Sequence, residues 1–555
     1  MIKFSERIRY WGDAMRWPRR LRRELLEGTI FFAAVSAGGQ VAVTQTPLPP
    51  ATPVRSEVAG AKAKASERAD VVRFRKRVEA ALNSTGADKG AWGVLVMDAA
   101  TGGVVYALHP DSYFAPASGA KLFTTALALA AIGPDFRVRT VIGTSGTLGN
   151  DGVLNGDLIL IGGGDANLSN RKFPYEKKVE RDGPAEKALA ELADAVVANG
   201  VKQIAGDVIA DDSLFAPERF PSGWTIDDMV WSYGAPVSAI AINDNSFTLE
   251  VRPGGKEGDL AALALEPALD FYMIQNTVRT GASGSEEKLA ISREPGSRTI
   301  RLSGSIPRGA ETRKLLLAME EPAEYAAVLL ARLLEARGVQ IHGAVHARHA
   351  PGASSPDPPS TPPTVLAERT SRPLAEDVLL TNKMSLNLHA ELLLRLAAYQ
   401  KAGATTAEDA LKFASDFYTK AGITDGDVVM SDASGLSRKD LVTPRAVVQI
   451  LRYAATQPWG EVYRSSLPVA GEDGTLSDRM KNTAAVGRVF AKTGTVEHVH
   501  TLSGYATSVR GAHLVFSILE NNDHLHAQGA NAAIDAIALA MVEELGPAEV
   551  TKLRK

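Results

Sequence analysis

The sequence predicts an α+β fold built from the two ends of the chain around a long β-rich middle. Three observations carry this. A β-prone run and a breaker-free Leu/Ala segment share the ordered part of the first 140 residues. From about residue 140 to 365, short β-like runs alternate with Gly- and Asp-rich turns. After Leu366 helical texture returns, and the chain closes on three further β runs and a helix. With 555 residues, more than one domain is expected.

The order of elements begins with a basic leader: Lys3, Arg7, Arg9, Arg16, Arg19, Arg20, Arg22 and Arg23. A short apolar run from Gly28 to Val35 follows, and Val35 with Ala37 offers a cleavage site. This is the order of a secretory signal, so a periplasmic or extracytoplasmic location is expected, with membrane contact only through this segment where it stays uncleaved. The apolar run is far short of the ~20 residues of a spanning helix. Met15 is an alternative start. Residues 45–66 are rich in Pro, Ala, Thr and Ser and read as a linker. The expected organisation is therefore 1–66 as leader, signal-like segment and linker, 67–140 with 366–555 as one domain, and 141–365 as an inserted β-rich region of two domains.

Within the first domain segment, Trp92–Met97 is apolar and β-prone. Thr101-Gly102-Gly103 turns the chain and Val104-Val105-Tyr106 resumes it, which predicts a hairpin. Lys121 to Ile132 predicts a buried helix stopped by Gly133-Pro134. The insertion carries β runs such as Leu158–Ile161 and Val208–Ala210, and helices near 185–199 and 321–337. A Pro/Ser cluster at 350–363 reads as an exposed loop. Helices are then expected at Leu386–Tyr399 and Thr406–Ala421, strands at Arg488–Lys492, Thr501–Thr507 and His513–Leu519, and a last helix at Ala530–Leu545.

Composition excludes several functions. A hydrophobic fraction of 45% and a charged fraction of 23% are those of a soluble globular protein. The net charge of -3 gives no reason to expect nucleic acid as a partner. The absence of cysteine excludes disulfides, thiolate zinc sites and thiol catalysis.

Three short motifs carry chemistry. In Ser118-Gly119-Ala120-Lys121, residues three apart share a helix face, so an amine can reach a serine hydroxyl. A serine needs a base to become a nucleophile, and a lysine serves when desolvation or nearby charge lowers its pKa. The helix start adds free N–H groups and positive potential. Alone, this motif reads more simply as a capping serine and a solvated lysine. Ser385-Leu386-Asn387 supplies a second hydroxyl and an amide to place beside Lys121. Lys492-Thr493-Gly494 on a strand edge offers a cation and a hydroxyl for a substrate carboxylate, with Gly494 letting a substrate backbone approach. In isolation the last two read as a helix start and a strand-end turn. The ordered set, not any one triplet, makes the case for a serine acyl-transfer enzyme.

The flanking residues sharpen it. Phe114-Ala115-Pro116-Ala117-Ser118, Ile132-Gly133-Pro134-Asp135-Phe136, Asn382-Lys383-Met384-Ser385-Leu386-Asn387, Ser434-Gly435-Leu436-Ser437-Arg438, Leu467-Pro468-Val469-Ala470-Gly471 and Ala491-Lys492-Thr493-Gly494-Thr495 together resemble the D-alanyl-D-alanine carboxypeptidase/endopeptidase family of class C penicillin-binding proteins. The resemblance runs from about Val94 to Leu545. It implies a catalytic domain like that of β-lactamases and penicillin-binding proteins, a central antiparallel sheet flanked by helices, with mostly-β accessory domains inserted. The roughly 260 residues between the first two motifs are too many for an ordinary loop and fit such an insertion.

That resemblance implies the mechanism. Ser118 attacks the carbonyl between two D-alanines with Lys121 as base, and the backbone N–H groups of Ser118 and Thr495 hold the oxyanion. Ser385 relays a proton and Asn387 orients Lys121, while Lys492 and Thr493 bind the terminal carboxylate. Peptidoglycan stem peptides are the expected partners and β-lactam antibiotics the expected inhibitors, with no cofactor. Asp228, in Gly223-Trp224-Thr225-Ile226-Asp227-Asp228-Met229, either reaches the site and binds the amine of the stem's diamino acid or is a surface carboxylate. A β-lactamase and a catalytically silent wall-binding protein are the alternatives; the long insertion argues against the first and the intact motifs against the second. His498 with His500, and His524 with His526, pair at strand spacing but lack a third ligand nearby in sequence, so no metal is expected. Gly162-Gly163-Gly164 has no following Lys-Ser/Thr and reads as a turn.

Overall fold

A computed structural model describes residues 68–84, 87–177, 179–351, 363–523 and 527–548. The leader, the linker, most of the Pro/Ser cluster, His524 and His526 lie outside the described residues. Five antiparallel strands form the sheet on which the site is built: β1 (Ala91–Asp98), β2 (Val104–Leu108), β3 (Val489–Val496), β4 (Val499–Thr507) and β5 (His513–Asn521), in spatial order β2-β1-β5-β4-β3. The predicted hairpin is β1–β2, with Val94 opposite Leu108. The N-terminal and C-terminal strands meet where β1 pairs β5 along its whole length.

Alternation along these strands decides the two faces. Trp92, Val94 and Val96 of β1, Leu502 of β4 and Phe516 and Ile518 of β5 pack with helices α1 (Ala69–Leu82) and, near the C-terminus, Ala527–Glu544. Leu95, Met97, Tyr505, Val515 and Leu519 face the other way, onto α2 (Lys121–Ile132) and its neighbours. Around that second face stand α3 (Leu374–Met384), α4 (Asn387–Ala402) and α5 (Pro444–Ala455). The first nine residues of α2 are all buried, and its polar Lys121, Thr124 and Thr125 share one face and bond inward, so the helix has no solvent-facing polar stripe. That is why its sequence reads as a buried helix. Among the described residues no helix is long and apolar enough to cross a membrane.

The long middle does not push the motifs apart, because its two ends pair. Strand Arg139–Thr144 runs antiparallel to Thr364–Thr370, with Arg139 opposite Thr370. Beyond that ladder, the N–H groups of Ser371, Leu374 and Ala375 bond to the carbonyls of Val138, Phe136 and Pro134. The chain therefore leaves α2 and returns to α3 at nearly one point. These two strands belong to a mixed sheet with Leu158–Ile161, Val208–Asp211 and Val345–Arg348, in which the last three are parallel. Helices Lys187–Ala198 and Pro322–Glu335 bury their apolar faces in the same core. This part of the insertion is thus a mixed α/β layer, as parallel pairing with helical crossovers requires. Two small sheets without helices lie within 246–318.

Candidate active site

Ser118 lies in a 3-10 turn, Ala117–Ala120, that runs directly into α2. Ala117 takes a left-handed φ of 46°. That conformation is unfavourable for a residue with a Cβ and persists only where neighbours enforce it. Three contacts do so. Thr501 Oγ1 on β4 donates to Pro116 O at 3.0 Å. A Cβ on Gly435 (φ 80°) would lie 1.7 Å from Ala117 O, and one on Gly494 would lie 2.7 Å from Pro116 O and 3.1 Å from Ala117 Cβ. Gly494 is therefore bare because the turn bearing Ser118 packs against it, a different reason from the substrate approach expected from the sequence. Gly119 is not constrained in this way, since a Cβ there would meet Thr501 Oγ1 at 3.5 Å.

Lys121 is fully buried, and its Nζ has three partners: Ser118 Oγ at 2.9 Å, Asn387 Oδ1 at 2.6 Å and Ser434 O at 2.6 Å. The amide of Asn387 is oriented by its own Nδ2, which donates to Tyr233 O at 2.8 Å. Burial lowers the Lys121 pKa to about 8, although Asp432, Glu391 and Asp440 pull it the other way. Those acids are themselves buried. Desolvation pushes Glu391 up to about 8 and Asp440 well up, the latter also because Asp432 lies beside it. Asp432 stays low against its burial because Asp440, Trp224, Gly435 and Ser434 donate to it.

The second and third motifs meet at Lys492, which is also fully buried. Its Nζ donates to Ser385 Oγ at 2.9 Å and to Thr493 O at 2.8 Å. Burial, then the charge of Lys121, hold its pKa well below the ordinary lysine value. Ser385 closes α3 at a left-handed φ of 60°, and Asn387 opens α4. The triplet is thus the joint between two helices and not a simple helix start. The amide of Asn387 stands beside Lys121 as the spacing suggested, but the Ser385 hydroxyl is held by Lys492.

Strand parity aims the backbone of β3. Ala491 N–H donates to Pro468 O, outside the sheet, at 2.9 Å, and Thr507 N–H on β4 donates to Arg488 O. Even-numbered residues of β3 therefore bond to β4, and the N–H groups of Thr493 and Thr495 turn to the open edge. Thr493 Oγ1 pairs with Thr475 Oγ1 at 2.7 Å.

Asp228 is nearly buried. Its Oδ2 accepts from Thr225 Oγ1 at 2.7 Å and from Thr225 N–H at 3.2 Å. The Tyr233 phenol is pushed up to about 12 by burial and by Asp228. The Tyr233 carbonyl on Asn387 and Trp224 Nε1 on Asp432 link this part of the chain to the site.

Sequence reasoning missed the Ser434 carbonyl and Thr475. It also missed Asp432, which accepts from Ser434 Oγ, Trp224 Nε1 and three backbone N–H groups and so shapes the turn presenting that carbonyl. The segment Ser434–Arg438 was visible as a pattern, but a main-chain oxygen leaves no side-chain signature.

The chain matches the model of the D-Ala-D-Ala carboxypeptidase 3 (S13) family over residues 74–541. It is 35% identical over 508 residues to the D-alanyl-D-alanine carboxypeptidase of Actinomadura sp. (strain R39), covering 89% of this chain and 88% of that one. It is 28% identical over 412 residues to the D-alanyl-D-alanine carboxypeptidase DacB of Haemophilus influenzae, covering 73% and 80%. The crystal structure of penicillin binding protein 4 (dacB) from Haemophilus influenzae superposes with a TM-score of 0.72 at 24% identity, over 85% of this chain and 98% of that one. A structure of the same protein complexed with a β-lactam gives a TM-score of 0.68.

Proposed function

The chain belongs to the D-Ala-D-Ala carboxypeptidase 3 (S13) family and is a serine-type D-Ala-D-Ala carboxypeptidase; from that premise we propose that Ser118 forms the acyl-enzyme and Lys121 is its base. One observation carries the assignment. Two of the three partners of Lys121 Nζ, Asn387 Oδ1 and Ser434 O, can only accept hydrogen bonds. A neutral amine has two hydrogens and one lone pair. Giving its hydrogens to those two oxygens turns the lone pair onto Ser118 Oγ. The lowered pKa makes this neutral form accessible near neutral pH.

The reaction then proceeds in two halves. Ser118 Oγ attacks the carbonyl carbon of the penultimate D-alanine while its proton passes to Lys121. The N–H groups of Ser118 and Thr495 hold the oxyanion; donors of this kind are each worth about 10²–10³ in rate. The C–N bond to the terminal D-alanine breaks as that nitrogen gains, through Ser385, the proton that Lys121 took from Ser118, which leaves Lys121 neutral again. Lys492, Thr493 and Gly494 form the edge that receives the terminal carboxylate. Water then opens the ester, its proton returning through Lys121. A β-lactam acylates the same oxygen by ring opening and its acyl-enzyme is released slowly, so β-lactams are inhibitors. Residues 67–140 with 366–555 form the catalytic domain and 141–365 the accessory region.

Peptidoglycan stem peptides, which supply a D-Ala-D-Ala end, are the substrate, and the signal-like order of the leader supports the periplasmic or extracytoplasmic side as the place of action. The same chemistry opens a cross-link when the leaving nitrogen belongs to a neighbouring stem's diamino acid, and product analysis on cross-linked fragments separates the two activities. Labelling with a fluorescent penicillin tests the nucleophile. A band from the native chain that vanishes in Ser118→Ala is expected, and label retained by that variant excludes Ser118.

A further inference from the structure

We propose that His500, Glu520 and Asp523 form a site for a divalent transition-metal cation, on the face of the sheet opposite Ser118. All three side chains are at least nine-tenths buried, at 4%, 0% and 3% exposure. One donor atom from each lies within 4.8 Å of the other two. His500 Nε2 is 3.3 Å from Asp523 Oδ2. Both oxygens of Glu520, both oxygens of Asp523 and Nδ1 of His500 are buried with no hydrogen-bond partner. Buried carboxylates left in that state are strongly unfavourable unless something positive joins them.

The backbone builds the cluster. His500 on β4 pairs directly with Glu520 on β5, so both side chains stand on one face. Asp523 follows two residues after β5. Its carbonyl contacts His498 Nδ1 at 2.7 Å, and Asn522 N–H donates to His498 O at 2.8 Å. Gly90 leaves the space, since a Cβ there would lie 2.3 Å from Glu520 Oε1. Arg479, whose charge acts on His500, does not serve the carboxylates, because it is spent on Asp535.

The donor set selects the ion. One imidazole nitrogen with two carboxylates suits zinc and its neighbours, whereas calcium and magnesium favour all-oxygen shells. Two carboxylates and a neutral imidazole are balanced by a 2+ charge. Tetrahedral ligands about 2.0–2.1 Å from zinc stand about 3.3–3.4 Å apart, the separation already present between His500 and Asp523. The remaining separations contract on binding, and water completes the shell. His500 is also the partner of Thr495 across β3–β4, so the ion would fix the strand end that carries the proposed oxyanion donor.

The competing state is a proton held between the two acids, since burial and Asp523 push Glu520 up to about 8. Equilibrium dialysis of the untagged full chain, stripped with a chelator and returned to buffered Zn²⁺, distinguishes the two. About one zinc per chain is expected, with a raised melting temperature. In Glu520→Gln/Asp523→Asn, whose side chains can bond each other, zinc affinity should fall by more than about 100-fold while penicillin labelling of Ser118 persists. Equal zinc content in native and variant chains, or none in the native chain, overturns the proposal. If the variant does not fold, Co²⁺ added to the native chain decides: a saturable visible absorption band is expected, and its absence overturns the site.

Discussion

Lys492 Nζ lies 2.9 Å from Ser385 Oγ, so the lysine of the third motif holds the serine of the second, while Lys121 of the first holds its asparagine. The joint between α3 and α4 is clamped from both sides. Each lysine is buried, and each charge raises the penalty for the other. Holding both ammoniums charged in this buried joint is therefore costly: burial lowers the Lys121 pKa, and burial together with the charge of Lys121 lowers that of Lys492.

The acylation rate should rise with pH through about 8 and level off above it, because the working form of Lys121 is the neutral one and its pKa is lowered to about that value. Lys121→Arg retains bulk and charge but cannot give up its proton. Its second-order rate of penicillin acylation should drop by about 10²–10⁴, the usual worth of a general base. A limb that stays near pH 10.5, or an arginine variant that acylates at the native rate, removes Lys121 from the role.

The two glycines flanking the nucleophile should respond in opposite ways. In Gly494→Ala the new methyl would lie 2.2 Å from Thr501 Oγ1 and 2.7 Å from Pro116 O. Relief requires β3 and the Ser118 turn to part, at about 1–3 kcal/mol and with loss of acylation. Gly119→Ala meets nothing closer than 3.5 Å and should be neutral or stabilising by about 0.4–1 kcal/mol. Melting curves and labelling rates on both variants check this.

The pattern that survived from sequence to structure is the local one. β1, β2, α2 and the strand Leu158–Ile161 fall where hydrophobic runs and Gly/Pro breakers placed them. α3 was missed because Thr381, Asn382 and Lys383 interrupt its apolar pattern, whereas α5 was missed although Thr443-Pro444 is a helix-start signal followed by a regular apolar face. The polar residues of α3 are buried on partners far along the chain, as when Lys383 Nζ bonds both oxygens of Asp473. The same limit governed the site. Ser118, Lys121 and Asn387 were legible because side-chain identity carries their chemistry. The Ser434 carbonyl, the reason for Gly494 and the grouping of His500 with Glu520 and Asp523 depend on long-range register, which no local spacing encodes.

His389, two residues beyond Asn387, should make stability fall with rising pH. Its Nδ1 is 2.6 Å from Asp377 Oδ1 and its Nε2 3.1 Å from Asp244 Oδ1, so both ring nitrogens must donate and the ring is an imidazolium. Burial alone would lower its pKa, but Asp377 and Asp244 outweigh it and raise it to about 9. The stabilisation is fully present below the unfolded value near 6.5 and is lost as pH rises through about 9. It amounts to about 3 kcal/mol across that window. Asp244 is also bound by Arg171 and Arg181 from the inserted region. Denaturant melts at pH 6.5 and 9.5 should show the loss in the native chain and a smaller one in His389→Gln.

Asp228 offers a test that separates recognition from architecture. Thr225 occupies its Oδ2, and Tyr233 links the segment to Asn387, so a purely structural role predicts an effect on stability alone. Amine recognition predicts something else. Asp228→Asn keeps an acceptor for Thr225 but loses the charge that would meet a diamino-acid ammonium. A charged hydrogen bond of about 1.5–3 kcal/mol then disappears for that substrate only. KM for a stem peptide with a free side-chain amine should rise about 10–100-fold with kcat little changed, while KM for the N-acetylated peptide and the rate of penicillin labelling stay as they were. An unchanged ratio between the two peptides, with a lowered melting temperature, assigns Asp228 to the fold and leaves the amine to another group.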